Sequence, residues 1–287
     1  MSFPLSRRRW LVWALGLALI APFSTHAEEV RATAEVPYKE GAELTEYERT
    51  RCKLDIYAPA GAKDLPCLVW FHGGGITAGS KDGPKTVATV RALAGEGMVF
   101  FAANYRLSPK VKFPAYLEDT AAAAAWVKAH AAEYGGDPRR LFIGGHSAGG
   151  YLVAMVGLDG RYLEKFGLKP EELAGIIPLS GQMMTHYTVR EERGLPKTTI
   201  VADEAAPIYH ARKGTPPWLI LYAEHDMVLR ADENRYFAAA LEATGNKGVT
   251  LREIAGHDHS GIGDRIPEAG DPVRAAMAAF VREHSKR

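Results

Sequence analysis

Short apolar runs bounded by glycine and proline alternate along most of this chain with stretches of good helix formers, and this alternation restricts the possible folds more than any other feature. The runs at residues 67–71, 98–104, 141–144, 174–179 and 218–222 have the length and flanks of buried strands. Residues 86–94, 115–132, 148–158, 234–243 and 272–283 are rich in Ala, Leu, Glu, Lys and Arg and read as helices. Strand and helix in repeated succession imply an α/β protein whose mostly parallel central sheet carries helices on both faces. Residues 30–36 and 53–57 instead alternate polar with apolar, as an antiparallel edge does. Residues 250–254 read as the last strand.

With 287 residues, 47% hydrophobic and 24% charged, the chain can build one large core without disulfide staples. No repeat, low-complexity tract or long linker divides residues 28–287, which are therefore read as one domain. Residues 1–27 are set apart. Arg7, Arg8 and Arg9 precede an uncharged apolar run from Trp10 to Phe23, followed by the small-residue segment Ser24-Thr25-His26-Ala27. That is the pattern of a signal peptide cleaved after Ala27, with Glu28 as the mature N-terminus. A membrane-spanning helix needs about 20 apolar residues, and this run is shorter and interrupted by Pro22. Ser6-Arg7-Arg8-Arg9-Trp10-Leu11 also resembles a twin-arginine signal, so the sequence predicts a periplasmic or secreted protein with no stable membrane insertion once the signal is removed.

Loss of residues 1–27 takes away three arginines and no acid, so the formal charge falls from +1 to −2. A nucleic-acid partner is not expected, because such binding draws on a basic excess that neutralises phosphates. An oxidising compartment would permit a Cys52–Cys67 disulfide, but each cysteine falls in an expected strand, where a small buried thiol is the commoner state.

Gly145-His146-Ser147-Ala148-Gly149 matches G-x-S-x-G between an apolar run and a helical stretch. Composition alone would produce the pattern about 0.1 times in such a chain, so the strand before it and the helix after it supply much of its meaning. A serine on a tight strand-to-helix turn is lifted above the sheet, and glycines on either side tolerate the strained backbone. Ser147 is the candidate nucleophile. His72-Gly73-Gly74-Gly75 follows another strand directly. Consecutive glycines can aim N–H groups at a carbonyl oxygen that becomes an anion during acyl transfer, each donor contributing about 3 kcal/mol to the rate. Gly73, Gly74 and Ala148 are the expected oxyanion donors. A phosphate-binding loop would require Gly-Lys-Ser/Thr where this chain has Gly79-Ser80-Lys81, and no dinucleotide fingerprint fits either glycine cluster.

Together with Asn104-Tyr105-Arg106-Leu107-Ser108-Pro109, Phe113-Pro114 with Asp119, and Tyr134-Gly135-Gly136-Asp137-Pro138 ahead of Gly145-His146-Ser147-Ala148-Gly149-Gly150, these motifs carry a family likeness. The chain resembles α/β-hydrolase esterases of the HGGG type, and within them the branch of feruloyl- and acetyl-ester hydrolases and kynurenine-formamidase-like enzymes. The resemblance implies the α/β-hydrolase fold and ester hydrolysis. It also covers a departure: Ile76 stands where relatives often carry Trp.

A serine hydroxyl needs a histidine to take its proton and an acid to orient that histidine, in the chain order Ser, acid, His for this fold. Glu224 and Asp226 follow one strand, and His257 and His259 follow the last. The resemblance favours Asp226 and His259. The paired histidines lack the third ligand and spacing of a zinc site, so no metal and no cofactor are expected. His130, His186, His210 and His284 read as solvated, whereas His72, His146 and Asp119 read as supports for loops. Residues 181–215 break the strand–helix rhythm and read as a short cap insertion over the site, and Tyr105, Met183, Met184 and Tyr187 read as pocket lining or packing. The expected function is hydrolysis of a small-molecule carboxylic ester through an acyl-enzyme. An aryl-formamide hydrolase and a non-catalytic binding module on the same scaffold are the alternatives. No motif bears on oligomeric state.

Overall fold

A computed structural model describes residues 29–286. The expected signal segment and its cleavage site lie outside the described residues. The strands are β1 (Val30–Pro37), β2 (Lys53–Pro59), β3 (Leu65–Phe71), β4 (Val99–Ala103), β5 (Gly136–His146), β6 (Gly175–Leu179), β7 (Trp218–His225) and β8 (Val249–Asp258). They form a sheet in the order β1-β2-β4-β3-β5-β6-β7-β8. β1 and β2 are antiparallel to their neighbours, and β3 through β8 run parallel. The antiparallel edge and parallel body expected from the two kinds of alternation are both present.

Side chains alternate across the sheet with the two-residue period of a strand. Leu141 and Ile143 face one core, Phe142 the other; Val69 and Phe71 face the first, Leu68 and Trp70 the second. The chain supplies helices in the order α1 (Glu46–Arg51), α2 (Pro84–Ala94), α3 (Ala115–His130), α4 (Ala148–Leu158), α5 (Gly160–Glu164), α6 (Tyr187–Glu192), α7 (Arg230–Ala243), α8 (Gly261–Asp264) and α9 (Pro272–His284). Buried side chains of α3, α4 and α7 join the first core, while those of α2 and α9 join the second. Every residue of α4 is buried. Its glycines let it lie close to the sheet: a Cβ on Gly157 would come within 2.3 Å of Ile176 Cδ1.

Several boundaries differ from the sequence expectation for local reasons. β5 starts at Gly136 rather than residue 141, because Gly136 pairs with Leu65 at the start of β3. α7 starts at Arg230 rather than 234, entered through Leu229 in the left-handed region. Cys52 caps α1 instead of lying in a strand, and both cysteines are buried free thiols, so the disulfide considered above is absent. Cys67 Sγ faces the carbonyl oxygens of Leu65 and Asp137 at 3.7 and 3.8 Å. His186 is also a correction. It is buried, and its Nδ1 accepts from Thr188 N–H at 3.1 Å at the start of α6, a pairing that its polar neighbours in sequence did not indicate. Asp119 is wholly buried and accepts from the Arg106 backbone, from two nitrogens of its guanidinium and from Lys39, anchoring the loop after β4. Among the described residues no helix is long and apolar enough to cross a membrane.

Candidate active site

The strand register brings distant parts of the chain to one edge of the sheet. Phe71 pairs with Gly145, His146 with Leu179, Leu179 with Leu221, and His225 with Asp258. The residues just beyond these pairs therefore meet at the carboxyl ends of the strands, beside the crevice between β3 and β5, where the chain, having passed from β3 to β4, returns to the other side of β3. That edge holds the candidate site.

Ser147 sits between β5 and α4 at φ 55° and ψ −113°, a sparsely populated conformation for a residue with a side chain. Its N–H donates to Leu179 O at 2.8 Å and its carbonyl accepts from Tyr151 N–H at 3.0 Å. Its side chain makes no capping bond to the helix it precedes, which leaves the hydroxyl available. The flanking glycines are sterically required. A Cβ on Gly149 would lie 1.9 Å from Phe71 O, and one on Gly145 would lie 2.6 Å from the Gly149 carbonyl carbon.

His259 Nε2 lies 2.8 Å from Ser147 Oγ, and His259 Nδ1 lies 2.6 Å from Asp226 Oδ1. A carboxylate can only accept, so Nδ1 carries the proton and Nε2 accepts from the serine hydroxyl. Burial opposes ionisation of Asp226, but the hydrogen bonds from His259 and Ser180 outweigh it and hold its pKa below the ordinary carboxylate value. Asp226 also accepts from Ala223 N–H at 3.1 Å and Met227 N–H at 2.8 Å. The rivals go elsewhere: Glu224 accepts from Gly256 N–H at 2.8 Å, and His257 Nε2 pairs with Asp271 at 3.0 Å.

The glycine loop after β3 lies against the serine. A Cβ placed on Gly73 would be 3.3 Å from Ser147 Cβ. Among the described residues, no protein group accepts from the N–H of Gly73 or Gly74. Gly74 and Gly75 have φ of 111° and 62°, which curls the loop back on itself. Ile76 follows at φ 64°, an uncommon state for a β-branched residue, and its side chain is buried in the core. Two histidines brace the loops. His72 Nδ1 donates to Gly73 O at 2.7 Å and His146 Nε2 donates to His259 O at 2.7 Å. Burial lowers each pKa to about 4, opposed at His72 by its bond to Gly73 and reinforced at His146 by His259, so both are neutral at pH 7.

Ser180 was not singled out from the sequence, although its hydroxyl donates to Asp226 Oδ2. The available signal was a small polar residue directly after a fully buried strand, at the sheet edge where the other candidates converge. Of the apolar candidates, Tyr105 and Met183 are buried packing residues, with Tyr105 stacked on His72 at 4.5 Å. Met184 and Tyr187 line a cavity of about 570 Å³ that also takes in Met227, the residue after Asp226. The segment 181–215 is tied to the glycine loop by Thr188 Oγ1, which donates to Gly75 O at 2.5 Å.

Comparison with known proteins agrees with this architecture. The family model described as BD-FAE matches residues 54–177, which include the glycine loop and Ser147. LipM of Mycobacterium tuberculosis, named a probable carboxylic ester hydrolase, is 30% identical over 212 residues, covering 68% of this chain and 49% of that protein. The carboxylesterase NlhH of the same bacterium is 28% identical over 265 residues, covering 81% of this chain and 79% of that one. A thermostable esterase from Pseudomonas putida ECU1011 superposes with a TM-score of 0.68 at 25% identity, covering 91% of this chain and 85% of that chain. The chain has the α/β-hydrolase fold and is similar to carboxylic ester hydrolases and esterases. This α/β-hydrolase spans about half the length of LipM and most of NlhH.

Proposed function

We propose that the protein is an exported serine carboxylic ester hydrolase acting on short-acyl or aryl esters through Ser147, His259 and Asp226. One observation carries the reading: the unbroken chain of hydrogen bonds from Ser147 Oγ through His259 to Asp226, beside backbone N–H groups with no protein acceptor. Ser147 Oγ attacks the ester carbonyl carbon while its proton passes to His259 Nε2. The carbonyl oxygen, now anionic, accepts from Gly73, Gly74 and Ala148 N–H. The carbon–alkoxy bond then breaks, and His259 returns the proton to the departing alcohol. Water attacks the acyl-enzyme with His259 again as base, releasing the acid and restoring the serine hydroxyl. Asp226 stays ionised throughout and holds the imidazole in the tautomer that accepts from serine.

Ser147→Ala is expected to lower kcat/KM on 4-nitrophenyl acetate by at least about 1,000-fold while the protein keeps its fold. Activity within tenfold of the parent would defeat the assignment. Export belongs to the same reading, supported by the arginine cluster and apolar run ahead of Ala27. N-terminal sequencing of protein recovered outside the cytoplasm is expected to begin at Glu28; an intact Met1 there would refute cleavage.

A further inference from the structure

The cavity beside Asp226 contains a charge arrangement that hydrolysis of a neutral ester does not use. Its walls include Met184, Tyr187, Ile200, Met227 and Leu229, together with the guanidinium-bearing side chains of Arg190 and Arg230. Arg190 is 5% exposed and Arg230 is 3% exposed, yet neither has a carboxylate within ion-pair distance among the described residues. Arg190 donates to Thr199 O and Arg230 to Ser180 O, each through Nη1. The Nε of Arg190 is buried with no partner. A guanidinium offers five N–H donors, so both retain unused capacity.

Burying a cation without a directly paired anion is costly: burial lowers the pKa of each arginine, opposed at both by the charge of Glu233 and at Arg230 also by that of Asp226. The same two cations add to the effect of burial in keeping His186 neutral, which places both charges in one neighbourhood. Glu233 also lines the cavity, but its carboxylate is occupied by the N–H groups of Met183 and Met184 and by Gln182. Lys197 at the rim pairs with Glu191 at 3.3 Å. The hydrogen bonds to Glu233 leave it charged, but with Lys197 paired to Glu191 the two arginines outnumber this one lining carboxylate, so the cavity is apolar along its walls and net positive.

We propose that this cavity receives a part of the ester that carries a carboxylate on an apolar stem, held by Arg190 and Arg230. The inference rests on the esterase reading above. The carboxylate can belong to the acyl group or to the leaving alcohol, and the chemistry that recognises it is the same.

The test compares kcat/KM for 4-nitrophenyl hydrogen adipate against 4-nitrophenyl hexanoate, and for 4-acetoxybenzoate against its methyl ester. The first pair carries the anion in the acyl part and the second in the leaving group. In at least one pair the anionic member is expected to lead by about tenfold, and Arg190→Gln to reduce that ratio by about 30-fold, with Arg190→Lys recovering part of it. A parent protein that prefers the neutral member of both pairs overturns the proposal, as does a folded Arg190→Gln protein with an unchanged ratio. Should Arg190→Gln fail to fold, inhibition of the parent by free adipate decides instead: it must exceed inhibition by hexanoate by about tenfold, and equal inhibition counts against the proposal. If no ester is turned over in a Ser147-dependent way, the esterase reading fails by itself. Raised melting temperature of the parent with adipate but not hexanoate would still uphold the anion site, and no difference would remove it.

Discussion

Asp226 has its side chain almost wholly out of water, and a buried carboxylate remains charged only when donors surround it. Four groups do so here: His259, Ser180 and the N–H groups of Ala223 and Met227. Ser180 does not touch Ser147's reaction partner; it positions the acid that orients His259. Its replacement by alanine removes one hydrogen bond to a charged group, an interaction of about 1.5–3 kcal/mol. Ser180→Ala is expected to lower kcat about tenfold with little change in KM, because the loss is in the orientation of the base and not in substrate binding. Steady-state kinetics on a neutral aryl acetate check this, and a kcat within twofold of the parent would leave Ser180 with packing alone.

At the scale of elements, α6 and the glycine loop form a second unit around the site. Thr188 in α6 donates to Gly75 O, and Tyr187 leaves no room for a side chain at Gly75, where a Cβ would meet its hydroxyl at 2.0 Å. The helix thereby holds the loop that lies against Ser147. Thr188→Val keeps the shape of the side chain and deletes the donor, at a cost of about 1 kcal/mol. Faster amide exchange across residues 73–79 and a loss in kcat/KM of about fivefold are expected. Exchange and kinetics that match the parent would show the loop to be rigid without α6.

For the whole molecule, the buried neutral histidines, His72 and His146 under the site together with His186 in the cap, set a pH dependence of stability. His72 and His146 have pKa values near 4 when folded, against about 6.5 for an exposed imidazole. As pH falls from about 6.5 to 4, the unfolded chain binds protons at both positions that the folded chain refuses, so stability declines across that window and not above it. The lowered pKa of Asp226 acts at more acid pH, where its stabilising contribution is lost as the pH drops below the usual carboxylate value. Thermal melts are expected to show a falling melting temperature from pH 6.5 to pH 4. His146→Gln keeps an N–H donor without the titration and is expected to make the decline shallower; an identical slope would remove His146 from the account.

The sequence by itself determined the parallel sheet, its antiparallel edge, the α4 helix at residues 148–158 and the pairing of a serine turn with a glycine loop. These follow from local periodicity and from glycines that no other residue can replace, and both are properties of neighbours along the chain. Glu224 against Asp226, and His257 against His259, could not be separated by spacing, because members of each pair lie two residues apart on the same strand end. Their fates are set by contacts across the sheet: His257 meets Asp271 and Glu224 meets Gly256, while His259 and Asp226 turn toward Ser147. His186 belongs to the same class, since its burial is decided by what packs from elsewhere. The unpaired arginines of the cavity do too. A guanidinium reads as solvated in a sequence, and only the tertiary structure removes its water without supplying a directly paired carboxylate.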